Sequence, residues 1–424
     1  MSLAFNCCSS GTGLTTFEEA LEIIANNSTL LQTEKIPTQE IAGRICAEDL
    51  TSPIAIQPFD NSAMDGFAVH AEDLKNASLQ NPVILKCVSK IAAGDSPITE
   101  NTPQNNCREI MTGAPMPAGC NSVVPVELTT ENDGNITFTA PSKLGNHIRK
   151  AGEDFNVGDA VIVNGTKMGA QHVLTLATLG ISHVEVYKKV KTATLSTGKE
   201  IIQDLTKDAP LGKIYNSTGP YLVSSLTRDD TDVKFYGTVP DEPKYFPAKI
   251  KEMQEEGVKI IISTGAVSMG RYDFIKDSLE KLGAEILFHK VAIRPGKPNL
   301  FAKLPDGTLF FGLPGNPAAS VVAARFFVET AIRKMTGRET EQPLNAKLTN
   351  DVSSKEGFQF FLKTKVGISE DGTMQADVLQ GQQSFMVKAF LTANAWAIAP
   401  REATKLTTGD MVKVYPLSSQ GWSL

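Results

Sequence analysis

The stretch VKIIISTGAVSMGRYDFIKDSLEKLG, residues 258–283, contains one complete unit of the fold that we expect for much of the chain. Residues 258–263 are almost all apolar, which is typical of a strand buried on both faces of a parallel sheet. A polar, glycine-containing loop follows, and the apolar positions of residues 274–282 predict a helix that ends at Gly283. A buried strand, a polar loop and a helix in this order indicate an α/β domain.

The same alternation continues on both sides of this unit. After the last strand, Asn316 and Pro317 are typical of a helix start, and this helix is expected to run to about Met335. The pattern predicts an α/β domain with a doubly wound parallel or mixed sheet. The other expected strands are 191–195, 233–236 and 308–312, and the other expected helices are 216–226 and 245–256.

The chain has a different character outside this region. Thr16 and Glu19 match a capping box for a first helix. Residues 52–158 contain short β-like runs, with Asp133-Gly134 as a hairpin turn, and the tail from about residue 342 predicts a small β-barrel. The expected strands are 82–89, 110–112, 122–127, 136–139, 358–366 and 373–379, with a hairpin turn at Glu370-Asp371-Gly372 and a helix at 168–179.

Length and composition exclude several classes of protein. A chain of 424 residues is expected to form two to four domains. Its net charge of −6 argues against broad nucleic-acid binding, which needs many Lys and Arg side chains to neutralise phosphates. The longest uncharged stretch, residues 307–324, contains glycine and proline and predicts a strand, a turn and a helix start instead of a membrane span. The six cysteines have no C-x-x-C spacing and favour reduced thiols in the cytoplasm.

Four polar, turn-rich segments follow the predicted strands of the α/β domain. In such sheets, ligands bind beyond the carboxyl ends of the strands. Glycine lets backbone N–H groups approach an anion, and the start of a following helix adds a favourable dipole. One such loop commonly makes only a turn, but four on one sheet predict an anion-binding edge. The segments are 196–200, 240–241, 263–270 with Asp273, and 313–317.

Three acids, Glu200, Asp241 and Asp273, are expected near this edge. Two such charges 4 Å apart repel by roughly 4 kcal/mol at an effective dielectric constant of 20, so the cluster needs a cation or a raised pKa. Mg²⁺ prefers carboxylate and phosphate oxygens and is the expected metal. Alternatively, these acids cap helices or face water.

Three cations, Lys290, Arg294 and Lys297, lie in the segment KVAIRPGKP, residues 290–298. Such a set can hold an oxyanion or a phosphate, although a solvated strand edge would have the same composition. The acids, the anion-binding loops and the cations together indicate a phosphorylated substrate and a metal-dependent reaction.

The familiar nucleotide and hydrolase motifs are absent from the sequence. It contains no P-loop, no G-x-G-x-x-G after a strand and no G-x-S-x-G, and its five histidines lack metal-ligand spacing. The most unusual segment is PFDNSAMDGFAV, residues 58–69, which has neither a helical nor a strand period. It predicts a tight loop that presents Asp65, or an ordinary structural turn.

Several segments together resemble the molybdopterin molybdenumtransferase family, which is related to the E domain of gephyrin. In chain order they are FDNSAMDGFAV (59–69), IMTGAPMP (110–117), RKAGED (149–154), STGKE (196–200), STGAVSMGRYD (263–273), RPGKP (294–298) and GLPGNP (312–317). The resemblance implies a homodimer whose active cleft combines the α/β domain of one subunit with the insertion of the other. It also implies four domains: a molybdopterin-binding α/β domain at 13–32 plus 186–341, a linking domain at 33–51 plus 159–185, a β-rich insertion at 52–158 and a C-terminal β-barrel at 342–424.

The resemblance implies a reaction as well. The substrates would be adenylylated molybdopterin and molybdate, and the products would be molybdenum cofactor and AMP, with Mg²⁺ required. Glu200, Asp241 and Asp273 would hold Mg²⁺ on the phosphate anhydride. Asp65 and Asp154 would assist proton transfer as oxide leaves the metal. These five acids are the predicted catalytic residues.

Molybdate is a dianion that carboxylates repel, so the cations of residues 290–298 are better candidates for binding it. The other matching positions are expected to position the substrate. The predicted substrate-binding residues are Thr112, Ser196, Thr197, Gly198, Asn216, Gly265, Ser268, Lys290, Arg294, Lys297, Pro314, Gly315, Asn316, Pro317 and Ser384.

Three positions depart from the family's pattern. Ala266 stands where a second glycine is usual, Lys199 where an acid is common, and Thr218 where asparagine is common. The key acids are retained, so an active enzyme is expected, with altered affinity as the main effect.

Two alternative functions stay open. A molybdopterin adenylyltransferase has the same α/β fold but lacks the segment at 59–66. A non-catalytic scaffold, as gephyrin also is, would be expected to carry a long linker or a partner-binding tail. The expected further partners are the adenylyltransferase and proteins that deliver the cofactor to molybdoenzymes; no nucleic acid or membrane is expected.

Overall fold

The computed structural model describes residues 13–240, 242, 244–265 and 274–422. The chain divides into two units. A large unit comprises Met1–Glu48, Asn164–Val173 and His183–Leu424, and a small unit comprises Asp49–Val163 and Leu174–Ser182. The division into four domains stays a prediction.

A six-stranded mixed sheet, here called the central sheet, organises the large unit. Five of its strands run in the same direction, and only Leu300–Lys303 is antiparallel to its two neighbours. Two of the strands, Glu285–His289 and Leu300–Lys303, were not predicted. In spatial order the strands are Thr231–Val239, Val190–Thr197, Ile260–Thr264, Leu309–Leu313, Leu300–Lys303 and Glu285–His289.

Both faces of this sheet are covered by helices, which confirms the predicted α/β fold class. Ile260 and Ile262 lie in one hydrophobic core, whereas Ile261 between them lies in the other. Alternate residues of a strand point to opposite faces, so an apolar run without alternation fits a strand buried on both sides. One face carries helices Phe17–Asn27, Thr218–Leu226, Pro317–Ala323 and Glu329–Met335; the other carries Phe246–Glu255 and Phe274–Lys281.

The helix starts and turns depend on local signals. The capping box at Thr16 and Glu19 is formed. The predicted helix from Asn316 to Met335 is present, but a π-helical segment, Ala324–Val328, interrupts it. The helix predicted at 216–226 begins at Thr218, and the helix predicted at 168–179 is Ala170–Thr178.

A buried ionic network lies at the start of helix Glu329–Met335. The Glu329 carboxylate forms ion pairs with Arg228 at 2.9 Å, Arg333 at 3.2 Å and Arg338 at 3.1 Å. Burial alone would raise the pKa of Glu329, but the three guanidinium groups outweigh burial and lower it. Glu329 therefore stays ionised in the core.

The C-terminal region forms the predicted barrel, with five strands. The chain of neighbours closes because Gln359–Ile368 pairs with both Met374–Val378 and Ala395–Ala399. Gly372, in the predicted hairpin turn, has φ +83°. The remaining barrel strands are Leu344–Leu348 and Met411–Pro416, and the two-residue strand Ile293–Arg294 adds to Gln359–Phe360.

The small unit contains a six-stranded sheet of mostly antiparallel strands. The hairpin at Asp133-Gly134 is confirmed, since both residues have positive φ and join paired strands. The strand predicted at 110–112 instead ends at Ile110, so Thr112 lies in a turn. In spatial order the strands are Ser122–Pro125, Gly66–Val69, Asn106–Ile110, Val83–Ile91, Asn135–Phe138 and Thr129–Asn132.

Short strand pairs complete the described structure. No helix in the described ranges has the length and apolar character needed to cross a membrane. The pairs are Thr33–Pro37 with His183–Tyr187, Leu50–Thr51 with Ala160–Ile162, Asn61–Ser62 with Ile148–Arg149, Ile201–Ile202 with Ile214–Tyr215, and Val352–Ser353 with Lys405–Leu406.

Candidate functional site

The carboxyl end of the central sheet collects most of the predicted site residues of the large unit. Strand Val190–Thr197 connects first to Thr231–Val239 on one side, and the chain then crosses to Ile260–Thr264 on the other. The strand order therefore reverses between Thr197 and Thr264. Such a switch point is where open α/β sheets bind ligands.

Polar side chains at the switch point are buried and hydrogen-bonded to one another. Thr197 Oγ1 donates to the carbonyl of Thr264 at 3.1 Å, and Asn216 Nδ2 donates to Ser196 Oγ at 3.0 Å. Asn216 Oδ1 in turn accepts from the Gly219 backbone N–H at 2.9 Å. These side chains hold the loops in place. Contact of Ser196, Thr197 or Asn216 with a substrate stays a prediction.

Two glycines at this edge have backbones that a larger residue would disturb. Gly198 has φ +135°, and a Cβ atom there would lie 2.7 Å from Glu200 Oε1. Gly265 has φ +88°, and its Cβ atom would lie 2.7 Å from the carbonyl oxygen of Thr197. Glu200 is exposed, and its carboxylate lies directly beside the Gly198 backbone. Larger residues at these two positions would therefore clash with the edge, where the Glu200 carboxylate is exposed.

The turn at Leu313–Pro317 differs from its prediction in how the helix start is satisfied. Asn316 makes no side-chain cap; its carbonyl instead accepts from Ala319 and Ser320 at 3.1 Å each. Ala318 N–H donates to the carbonyl of Ser384 at 3.0 Å. Pro317 has no N–H, and the next three N–H groups of the helix, those of Ala318, Ala319 and Ser320, all have acceptors. Gly315 and Asn316 are exposed, and their N–H groups donate to no backbone carbonyl in the described residues.

This hydrogen bond brings Ser384, a barrel-region residue, to the start of the helix at Pro317. Pro317 and Ser384 are 67 residues apart in sequence. The structure therefore brings these two predicted residues together, while any contact with a substrate stays a prediction.

The predicted cations lie at the same end of the sheet, after Glu285–His289. Lys290 has φ +87°, a conformation that non-glycine residues rarely adopt and that recurs at functional sites. Arg294 and Lys297 are exposed and lie over the ring of Phe358, at 4.8 Å and 6.0 Å from its centre. Neither side chain forms an ion pair with an acid in the described residues. They form a positive surface that is open to an anion.

Phe358 was missed by sequence reasoning. It directly precedes the barrel strand Gln359–Ile368, and its only sequence signal is an aromatic residue next to a predicted strand. The alternative interpretation of residues 290–298, a strand edge, is also correct in part, because Arg294 pairs with Phe360 in the barrel sheet.

The acid and the cations lie at different places along the edge. Glu200 follows the second strand in the spatial order, and Lys290 follows the sixth. Four strand spacings of about 4.8 Å separate these chain positions by roughly 19 Å. Among the described residues Glu200 forms no ion pair with Arg294 or Lys297, so the positive charges of these two side chains stay available to an anion.

In the small unit, Asp65 is exposed and oriented by Thr112. Asp65 Oδ1 accepts from the Thr112 backbone N–H at 2.7 Å and from its hydroxyl at 2.9 Å. The backbone N–H, followed by the hydroxyl, lowers the pKa of Asp65 because both bonds favour the charged form. The structure thus brings together two predicted residues and keeps Asp65 ionised.

Three sequence motifs of the small unit converge on this loop. Ser62 exchanges backbone hydrogen bonds with segment 110–117, at 3.0 Å with Ala114 and 2.8 Å with Gly113. On the other side, Asp60 binds Lys150 Nζ at 2.6 Å and the Ala151 N–H at 2.9 Å. Asp60, which sequence reasoning did not single out, has a lowered pKa because of the Lys150 ammonium, then of the Ala151 N–H.

Asp154 lies at the end of the third motif and is exposed. Its N–H donates to the carbonyl of Ile56 at 2.8 Å. Gly66 follows Asp65 at a close approach of two strands, where a Cβ atom would lie 2.1 Å from the Val124 carbonyl oxygen. Only glycine is therefore tolerated directly after Asp65.

Three predicted residues, Asp241, Ser268 and Asp273, lie outside the described residues. Two of them are predicted magnesium ligands. Among the described residues, no group of three His, Cys, Asp or Glu side chains could hold a metal ion. The magnesium site therefore stays a prediction.

Family models match most of the chain. Residues 193–334, which contain the central sheet, match the "Probable molybdopterin binding domain". The fold and its switch-point site thus define an α/β protein of the molybdopterin-binding class. Residues 15–180 match "MoeA N-terminal region (domain I and II)", and residues 345–417 match "MoeA C-terminal region (domain IV)". The chain belongs to the MoeA family of molybdopterin molybdenumtransferases.

Relatives and solved structures agree with this family. The molybdopterin molybdenumtransferase of Synechococcus elongatus is 35% identical over 91% of this chain and 95% of its own length. That of Bacillus subtilis is 32% identical over 96% and 95%. The crystal structure of a molybdopterin biosynthesis MoeA protein from Pyrococcus horikoshii has a TM-score of 0.80 at 28% identity, covering 95% of this chain and 99% of that one.

Proposed function

We propose that the chain inserts molybdenum into adenylylated molybdopterin, with molybdate as the second substrate and AMP as a product. The observation that carries this proposal is the carboxyl end of the central sheet. It presents a carboxylate at one position and, at another, two cations over an aromatic ring that form no ion pair among the described residues. Family membership supports the same reaction.

The positions of these charges suit the two substrates. Molybdate is a small dianion, so it is attracted to Arg294 and Lys297, whose charges no described acid neutralises. The buried polar side chains at Ser196, Thr197 and Asn216 keep the switch point rigid, which favours positioning of the longer substrate across it.

We propose Mg²⁺ as a cofactor, held by Glu200 together with Asp241 and Asp273. The exposed Glu200 carboxylate fits this role, because it is a hard oxygen ligand without an ion-pair partner among the described residues. Bound there, Mg²⁺ would supply charge neutralisation for the phosphate anhydride. Asp65 is proposed to accept a proton, since Thr112 keeps it ionised, and Asp154 to assist it.

We further propose a homodimer in which Asp65 of one protomer acts beside Glu200 of its partner. Family resemblance is the support for this arrangement. The described cysteines, all of them free thiols, support a cytoplasmic location. The adenylyltransferase and proteins that deliver the cofactor are proposed as further partners.

The test of this function is AMP release from adenylylated molybdopterin in the presence of molybdate and Mg²⁺. Wild-type protein is expected to release AMP only when molybdate is added. Asp65→Ala and Glu200→Ala should abolish release while thermal unfolding stays unchanged, and Glu131→Ala, an exposed acid of the small-unit hairpin, should be active. Normal turnover by both active-site variants would contradict the site assignment.

Mixing the two inactive variants tests the dimer. If each site combines two protomers, half of the randomly formed dimers regain one intact site, and about a quarter of wild-type activity returns. No recovery after subunit exchange would show that both acids act within one protomer.

A further inference from the structure

A lysine on the outer side of the barrel is buried beneath another segment, and its charge has no counter-ion among the described residues. Lys363 lies in the middle of strand Gln359–Ile368 and is only 1% exposed. Its ammonium group forms no ion pair with an acid in the described part of the chain, and desolvation is the only cause that lowers its pKa. Burying such a charge is costly, and an apolar side chain at this position would avoid that cost. The stability of the barrel therefore does not explain this lysine.

The hydrogen-bond partners of the Lys363 ammonium group are backbone carbonyls of one segment, and the centre of the Phe390 ring lies 5.3 Å away. Its Nζ atom donates to the carbonyls of Gly381 at 2.5 Å, Met386 at 2.9 Å and Gln383 at 3.4 Å. An ammonium group has three donors and no acceptor, so these three carbonyls use its full capacity. Residues 379–386, here called the Ser384 segment, are thus gathered around a single side chain.

The backbone of Lys363 binds the same segment. The Leu379 N–H donates to the Lys363 carbonyl at 3.0 Å. The Gln382 side chain donates to that carbonyl at 2.8 Å and accepts from the Lys363 N–H at 3.0 Å. The segment is therefore attached to residue 363 at both of its ends and at its centre.

Ser384 lies at the centre of the segment, and its carbonyl accepts from Ala318, the first N–H donor of the helix after residues 312–317. The position of Ser384 against this helix start thus depends on how the segment is held. We propose that Lys363 is a positioning residue of the substrate site, which holds Ser384 and the helix start in register. The expected effect on the rate of AMP release rests on the proposed function, whereas the expected effect on the order of residues 379–386 does not.

The test compares Lys363→Met with Lys365→Met, an exposed lysine two residues along the same strand. Methionine keeps the length and removes all three hydrogen bonds, so residues 379–386 should exchange amide hydrogens faster while the central sheet is unchanged. Misplacement of a site group by about 1 Å costs up to about 100-fold in rate. We expect kcat/KM for AMP release to fall 10-fold to 100-fold at an unchanged or higher unfolding temperature, with Lys365→Met like wild type.

Two outcomes would overturn the proposal: normal exchange of residues 379–386 in Lys363→Met, or normal kcat/KM despite faster exchange. If Lys363→Met does not fold, Gln382→Leu loosens the same segment with the ammonium in place and should show the same selective losses. Wild-type protein without molybdate-dependent AMP release would refute the proposed function alone, because the exchange measurement does not depend on that reaction.

Discussion

The two cations over Phe358 allow a quantitative test of where molybdate binds. We consider Arg294→Gln, Lys297→Gln and the double variant, each of which removes positive charge and keeps a polar side chain. Both native side chains are exposed and lie within 6.0 Å of the same ring centre. Their removal should therefore change anion binding without disturbing the core.

The size of the effect follows from this exposure. At 4 Å, two unit charges attract by about 1 kcal/mol in water and by about 4 kcal/mol at an effective dielectric constant of 20. Because the side chains are exposed, the lower figure applies, and the double charge of molybdate raises it to about 2 kcal/mol. Since about 1.4 kcal/mol corresponds to a tenfold change, the affinity for molybdate should fall about 30-fold for each cation removed.

The assay is the initial rate of AMP release at varied molybdate, with adenylylated molybdopterin saturating and ionic strength constant. The KM for molybdate should rise about 30-fold in each single variant, while kcat changes less. Added salt should raise the wild-type KM, because charges are screened over about 8 Å at 0.15 M, and should affect the double variant less.

Lys365→Gln, an exposed lysine on the outer side of the barrel, is the matched control. An unchanged molybdate KM in the double variant would refute the assignment of these cations. An equal rise in Lys365→Gln would show a general charge effect instead of a local site.

Two further predictions concern single carboxylates. Thr112→Val removes the hydroxyl donor but keeps the N–H donor, so the pKa of Asp65 should rise toward its ordinary value. Because the reaction requires ionised Asp65, the acid limb of the pH profile of kcat/KM should move to higher pH. An unmoved acid limb would argue against Asp65 as the titrating group. Glu329→Gln removes the acid that three arginines share, although Arg228 and Arg338 keep Asp230, and Arg333 keeps Glu341 at 3.6 Å. We expect a loss of about 3 kcal/mol in urea unfolding, against under about 1 kcal/mol for Glu252→Gln at the more exposed pair with Lys249. Equal losses in the two glutamine variants would contradict the importance of burial.

Elements with strong local signals were predictable from sequence. The capping box at Thr16 and the turn at Asp133-Gly134 depend on backbone geometry within four residues, and both are present. The apolar run 258–263 also predicted a strand buried on both faces, because burial on both sides removes the need for alternation.

Elements that depend on distant partners were missed or displaced. Leu300–Lys303 follows a proline- and glycine-rich segment, and it is a strand because Leu309–Leu313 and Glu285–His289 pair with its two edges. The helix predicted from residue 216 begins two residues later, since the Asn216 side chain binds Ser196 on another strand and the Gly219 N–H.

The sequence by itself determined the fold class, the family and the types of chemical group at the site. Only the tertiary structure decided which of those groups are engaged and which are open. Ser384 meets Ala318, Arg294 meets Phe358, and Lys363 gathers the carbonyls of residues 381–386 because the sheet and the barrel place them side by side. Hydrogen bonds and ring contacts between residues far apart in sequence depend on that placement, and no local backbone preference encodes it.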